Sequence, residues 1–123
     1  MSVETDILTS AAEIMNADRI GALEENDRTS VMIVDGKRLV RYRDGTEKLL
    51  MDVMLQGQDA DQQAIMSDMG AMISELCKSA REIRGNNYNV QSARLKLAPV
   101  PVAKNPLMWF YKSNIEIVYI KKE

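Results

Sequence analysis

Between Arg41 and Leu55 the chain reads RYRDGTEKLLMDVML, a basic stretch, an Asp-Gly pair and then a run that is apolar at nearly every residue. As a strand with alternating side chains, the run sets Leu49, Met51, Val53 and Leu55 on one face and Leu50 and Met54 around Asp52 on the other. A two-layer domain needs one apolar face on its sheet. A strand that is apolar on both requires a second cover, either a helix of the same chain or a neighbouring molecule.

The chain has few covers to offer. Its 123 residues are enough for a single domain, 1–123, in which about two-thirds of the unfolded surface is buried. Val3, Ile7, Ala11, Ile14 and Met15, widened by Leu8, recur at helical spacing and predict an amphipathic helix over Val3–Ala17 with Ser2 as its N-cap. The segment DRIGALEENDRTS is polar and reads as a loop tethered by Ile20 and Leu23. Two Asp-Gly pairs, Asp35-Gly36 and Asp44-Gly45, each follow a strand-like run and together predict a three-stranded antiparallel meander ending near Gly57.

From Asp59 the period becomes helical. Ile65, Met69, Met72, Ile73, Leu76, Ala80 and Ile83 form one stripe, with Asp59 as the expected cap and Gly85-Asn86 as a left-handed stop. YNVQSARLKL reads as a strand, and APVPVAKNP, which carries all three prolines, as a loop or sheet edge. The closing segment alternates, with Trp109, Tyr111, Ile115, Ile117 and Tyr119 on one side and Lys112, Asn114 and Glu116 on the other, where Val118 and Ile120 turn the polar side apolar. The expected architecture is α+β, a mainly antiparallel sheet of about five strands packed by two helices in the order α-β-β-β-α-β-β. If the long helix covers the Leu49/Met51/Val53/Leu55 face, only the N-terminal helix remains for the other, and the sheet keeps unpaired edges. Both features point toward self-assembly.

Composition narrows the chemistry. There is no histidine, hence no imidazole base, metal ligand or proton shuttle, and an enzyme would have to work with carboxylates and lysines alone. The expectation is a noncatalytic protein without metal or cofactor. The one cysteine, Cys77, fits a reducing compartment and is expected to be a small buried hydrophobe. The N-terminus MSVETDILTS is acidic where a secretory signal is basic, no apolar run is long enough for a membrane span, and the chain is expected to be cytoplasmic when made. A formal charge of −2 gives no whole-surface attraction for nucleic acid.

Several local patterns have two readings. DADQQ from Asp59 has calcium-loop spacing at its start, but Ala64 stands at the glycine position and Gly70 at the closing glutamate, which favours a helix cap. Lys37, Arg38, Arg41 and Arg43 are either a patch for nucleic acid or an acidic partner, or the solvated charges of an edge strand. The nine methionines suit core filling and also surfaces that repack on association; Met54, on the second face, is the candidate for an intersubunit contact.

The stretch RYRDGTEKLLMDVMLQGQDADQQAIMSDMGAMISEL resembles the small minor capsid or tail terminator proteins of tailed phages of Gram-positive bacteria and of related phage-tail-like particles. In that family an Arg/Lys-Tyr-x-Asp-Gly-Ser/Thr turn leads into an apolar strand, a Ser/Asp-rich helix start and a helix; Arg41, Tyr42, Asp44, Gly45 and Thr46 stand at the turn positions. Tyr111 and Ile117-Val118-Tyr119 are similar to its closing strand. The resemblance implies a homo-oligomeric ring, usually a hexamer, that caps the tail tube protein, stops its elongation and meets a neck or connector protein. It also implies DNA only in passage, the sheath as a further partner in a contractile tail, and no membrane. The place of action would be the host bacterial cytoplasm during assembly and then the virion or tail-like particle. Residues expected at the oligomer or partner interface are Arg41, Tyr42, Arg43, Asp44, Gly45, Leu50, Met54, Trp109 and Tyr111. Competing readings are another head-tail completion or connector component, a nucleic-acid-binding module using Lys37–Arg43, and a carboxylate-driven hydrolase.

Overall fold

The computed structural model describes residues 2–122. Its elements are α1 (Val3–Met15), β1 (Arg19–Ile20), β2 (Thr29–Arg41), β3 (Glu47–Asp59), α2 (Gln62–Ser79), β4 (Tyr88–Lys104) and β5 (Trp109–Lys121), with a 3-10 turn, Ala80–Glu82, closing α2. The fold is the expected α+β arrangement, α-β-β-β-α-β-β, on a five-stranded sheet of order β1-β2-β3-β5-β4. The short β1 runs parallel to β2, and the other neighbours are antiparallel.

Helix α1 starts where the Ser2 hydroxyl accepts from the Thr5 amide at 3.1 Å and stops at Asn16, whose φ of 58° is one that asparagine tolerates. Helix α2 is capped by Asp61, two residues after the expected Asp59, the Asp61 carboxylate accepting from Gln63 and Ala64 at 3.0 and 3.2 Å. Asp59 instead meets the Arg28 guanidinium at 2.8 Å and accepts from the Asp61 amide, also at 2.8 Å. These contacts, the amide first, hold its carboxyl below the ordinary range. Gly85 and Asn86 do not take up the left-handed stop; α2 winds into its 3-10 turn and leaves through extended Ile83. Gly85 serves another purpose, because a Cβ there would lie 2.3 Å from the Tyr88 ring.

The meander is corrected in one respect. Asp35-Gly36 is not a hairpin turn: β2 runs straight through it, and a register shift between Ile33 and Asp35 absorbs the extra residue as a bulge. Pairing along the whole of β3 keeps Val31 opposite Leu55 and Ile33 opposite Val53, and that long ladder outweighs a local turn preference. The second pair, Asp44-Gly45, does turn, as a type I turn followed by Gly45 at φ 89°, in a loop closed by Gly45 N–H to Tyr42 C=O at 3.1 Å and Tyr42 N–H to Thr46 C=O at 2.8 Å. Most of the proline-bearing segment, through Lys104, ends a 17-residue edge strand, β4, and Pro106 lies in the turn after it.

One core holds the layers together. The α1 residues Ile7, Leu8, Ala11 and Met15 and the α2 residues Ile65, Met69, Ile73 and Leu76 are buried with Val31, Met51, Val53, Leu55, Tyr111, Ile115, Ile117 and Tyr119 of the sheet. Each large side chain so buried contributes about 1.5–3 kcal/mol. All these strand residues share one face by register, so both helices roof the same side. The Tyr119 hydroxyl donates to Glu4 at 2.7 Å and ties α1 to β5; burial, then that carboxylate, push the phenol well above its ordinary range. Beneath Ile65 and Met69 of α2, β3 carries Gly57, where a side chain would have no room.

Candidate functional site

With both helices on one side, the other face of the sheet has no helical cover. The loop over 21–28 closes only its far end. Gln58 is buried there, its side-chain amide donating to the Glu24 carbonyl at 2.7 Å and to the Asp27 carbonyl, and Gln56 accepts from the Leu23 amide at 3.3 Å. This segment, expected as a loop tethered by Ile20 and Leu23, is held at both: Ile20, its side chain exposed, pairs with Val31 through β1, and the Leu23 amide bonds Gln56. Beyond it Met32, Leu50, Met54, Val118 and Ile120 are half-buried, shielded by cross-strand neighbours alone: Met32 stands opposite Met54, and Leu50 opposite Val118.

A polar band crosses the middle of this face. Asp52 is only 7% exposed although no helix covers it. A buried carboxylate without a partner is strongly unfavourable, and this one receives Lys96 Nζ at 2.7 Å and the Asn114 amide at 3.3 Å. Hydrogen bonding and charge from Asp52 raise the Lys96 pKa above its usual value. Exposed Arg94 and half-buried Glu116 add a pair at 3.5 Å. Asp35, Gly36, Lys37, Leu50, Asp52, Lys96 and Glu116 line a shallow hollow of about 310 Å³. The face is therefore two apolar areas divided by charge. Lone Asp52 in an apolar run was the sequence signal for such a band, but its partners lie on strands that only the register brings alongside.

The predicted interface residues fall in three places. Leu50 and Met54 lie on the uncovered face. Arg41 ends β2, and Tyr42, Arg43, Asp44 and Gly45 form the exposed hairpin tip, where the Thr46 amide holds the Asp44 carboxyl below its ordinary range. Trp109 and Tyr111 open β5 on the opposite, covered face. Trp109 packs half-buried at the rim of the core under Lys104, whose ammonium is 5.1 Å from the ring centroid. Tyr111 is 1% exposed, its hydroxyl without a hydrogen-bond partner among the described residues, so it belongs to the core and offers nothing to a partner surface. The structure thus unites Leu50 and Met54 but separates them from the hairpin and from the aromatics.

Little else suggests chemistry. Among the described residues no group of three or more His, Cys, Asp or Glu could hold a metal ion, and no helix is long and apolar enough to cross a membrane. Cys77 is exposed rather than buried, and partial desolvation raises its pKa, away from the reactive thiolate. Acids lie near several of the basic residues: Asp35 is two residues before Lys37, Arg38 lies 3.4 Å from Glu47, and Asp44 follows Arg43 in the turn after β2.

No protein-family model matches the sequence, and no curated protein matches it. Among solved structures, a chain of the virion of a native gene transfer agent particle is similar at a TM-score of 0.62 and 8% identity, over 96% of this chain and 94% of that one. At that identity the likeness is one of fold, and it spans nearly the whole of both chains.

Proposed function

We propose that this chain is a noncatalytic structural component of a phage-derived particle, a tail terminator that assembles into a ring on the last layer of the tail tube and joins it to the neck or connector. The observation that carries the reading is the sheet face around Leu50 and Met54, which has apolar surface and no element of its own chain above it. Its support is the near full-length likeness in fold to a chain of a gene transfer agent virion. Apolar burial at about 25 cal/mol per Å² would drive association, less the cost of immobilising the subunits. The divided face would fix register, because Asp52 and Lys96 tolerate only a partner that leaves their pair intact or answers it. A chain of net charge −2 suits a conduit through which DNA passes without being held.

The test is mass measurement of the purified protein together with electron microscopy, with and without purified tail tube. A closed ring at one tube end, and tubes of limited length in its presence, is expected. Monomers that ignore the tube overturn the reading, and density at the connector side alone reassigns the chain to head-tail completion.

A further inference from the structure

On one border of the sheet, β1 covers β2 at Ser30 and Val31, where the Val31 carbonyl takes the Gly21 amide at 2.8 Å, and β2 ends at Arg41. Between these limits, from Met32 to Val40, no strand lies on the outer side of β2 among the described residues. Gly36 is the midpoint of that free stretch, and its amide donates to the neighbouring Asp35 carboxylate at 2.8 Å. Two slips in the ladder to β3, between Ile33 and Asp35 and between Arg38 and Val40, stand one on each side of it, and from Asp35 to Arg38 the register is unbroken. Asp35 and Lys37 flank the glycine on the uncovered face, opposite Asp52 and Leu50, and both are exposed. Neither belongs to an ion pair among the described residues, whereas Arg38, on the covered face, already has Glu47 at 3.4 Å.

We propose that two copies of this chain join along the outer edge of β2, antiparallel over residues 32–40 about a two-fold axis at Gly36, into one continuous sheet. The axis stands perpendicular to the sheet and carries each face of one copy into the same face of the other, so the helices of both copies lie on one side. Asp35 then stands opposite the second copy's Lys37, and Lys37 opposite its Asp35, two ion pairs beside the axis. Met32 meets Val40 and Ile33 meets Leu39, apolar against apolar, while Arg38 lies across from Val34 and keeps its pair with Glu47. Ile33 and Val34 thereby face Arg38 and Leu39, slip opposite slip. Charge fixes this register: moving the axis one residue toward the N-terminus sets Asp35 against Asp35, and one residue the other way sets Lys37 against Lys37. Gly36 brings no side chain to the axis, and a Cβ there would meet the Leu50 carbonyl oxygen alone, at 3.6 Å, so the space over the axis is open. About nine residues of each copy pair, an extended length of about 30 Å, held by main-chain hydrogen bonds and chosen by side chains. The β4 border offers no equivalent, because Pro99 and Pro101 remove amide donors. This contact closes on itself, is separate from the surface around Leu50 and Met54, and does not rest on the terminator reading.

The test is analytical ultracentrifugation and amide hydrogen exchange across a concentration series. The unaltered protein is expected to show a monomer–dimer step, with exchange slowing over 32–40 and not over β4 as concentration rises. Asp35→Lys and Lys37→Asp each set like charges across the axis and are expected to weaken the dimer at least about ten-fold. An equimolar mixture of the two variants restores dimers, as does Asp35→Lys/Lys37→Asp in one chain, a rescue that a fault in folding would not show. Met54→Lys leaves this dimer intact while weakening ring assembly, which separates the two contacts, and where rings form the series is run on that variant. A protein monomeric at every concentration, single variants that dimerise like the parent, a mixture no tighter than its components, or protection confined to other strands each overturns the proposal. The exchange series uses the unaltered edge and decides the matter even where an edge variant fails to fold.

Discussion

Gly57 lies directly beneath Ile65 and Met69 of α2, and Gly57→Ala measures that close approach. The added Cβ would stand 2.8 Å from Ile65 Cδ1, 2.9 Å from Ile65 Cγ1 and 2.8 Å from Met69 Sδ. Relaxed carbon contacts are about 3.5–4.0 Å, so the helix must rise or the side chains must leave their wells. Ile65 and Met69 are fully buried, and the β-branched Ile65 has little rotamer freedom to escape. Overpacking costs about 1–3 kcal/mol, while replacing glycine in a strand returns about 0.5–1 kcal/mol of chain entropy. The net expectation is a loss of about 1–2 kcal/mol. With an unfolding entropy of about 2.1 cal/mol/K per residue over 123 residues, this lowers Tm by about 4–8 °C in a calorimetric or circular-dichroism melt. Ile65→Val removes Cδ1, and in the double variant the two losses should fall short of their sum by about 1 kcal/mol. A Gly57→Ala protein as stable as the parent, or an additive double variant, would refute the close approach.

Met54→Lys is expected to leave the monomer's melt nearly unchanged and to weaken oligomers by size-exclusion chromatography with light scattering, whereas Met51→Lys, on the covered face, should prevent folding; loss of folding in Met54→Lys would make that face core. Gly45→Val forces a β-branched residue to a φ of 89° and should cost about 1–2 kcal/mol in urea unfolding, with Gly45→Asn milder. Tyr111→Phe removes a buried hydroxyl without a partner and should be neutral or stabilising by up to about 1 kcal/mol; a clear loss would reveal a hidden acceptor. Asp59 has a folded pKa below its ordinary 3.8, so the stability it confers is present above that value and is lost as pH falls through the lower folded one. Urea midpoints of Asp59→Asn should therefore vary less across the acid range than those of the parent, and an identical pH slope would show that Asp59 does not contribute.

The helices and the two faces of β3 and β5 were legible because periodicity is a property of neighbouring residues. Ile7, Met69, Ile117 and their companions lie where their spacing put them. The turns were less legible. Asp35-Gly36 and Asp44-Gly45 carry the same dipeptide, and only the ladder to β3 decides that the first becomes a bulge and the second a loop. Asp59 was the cap expected from composition; it pairs instead with Arg28, distant in sequence, and Asp61 caps the helix. Of the candidate surface, Leu50 and Met54 could be read from alternation, as could the face Tyr111 shares with Ile115 and Ile117, but only the fold shows that both helices roof that face. Lys96 and Asn114 were out of reach for the same reason, since nothing local connects them to Asp52.

The proline-studded, repeatedly slipped border formed by β4 has a meaning familiar from polymer chemistry. A monomer needs two reactive ends to propagate, and a molecule with one consumes a growing end without replacing it. By strand addition this protein has a functionality below two, since Pro99 and Pro101 leave its β4 side short of amide donors. Fibrils built by that route would stop at the first link, whatever larger structure the broad face of the sheet goes on to make.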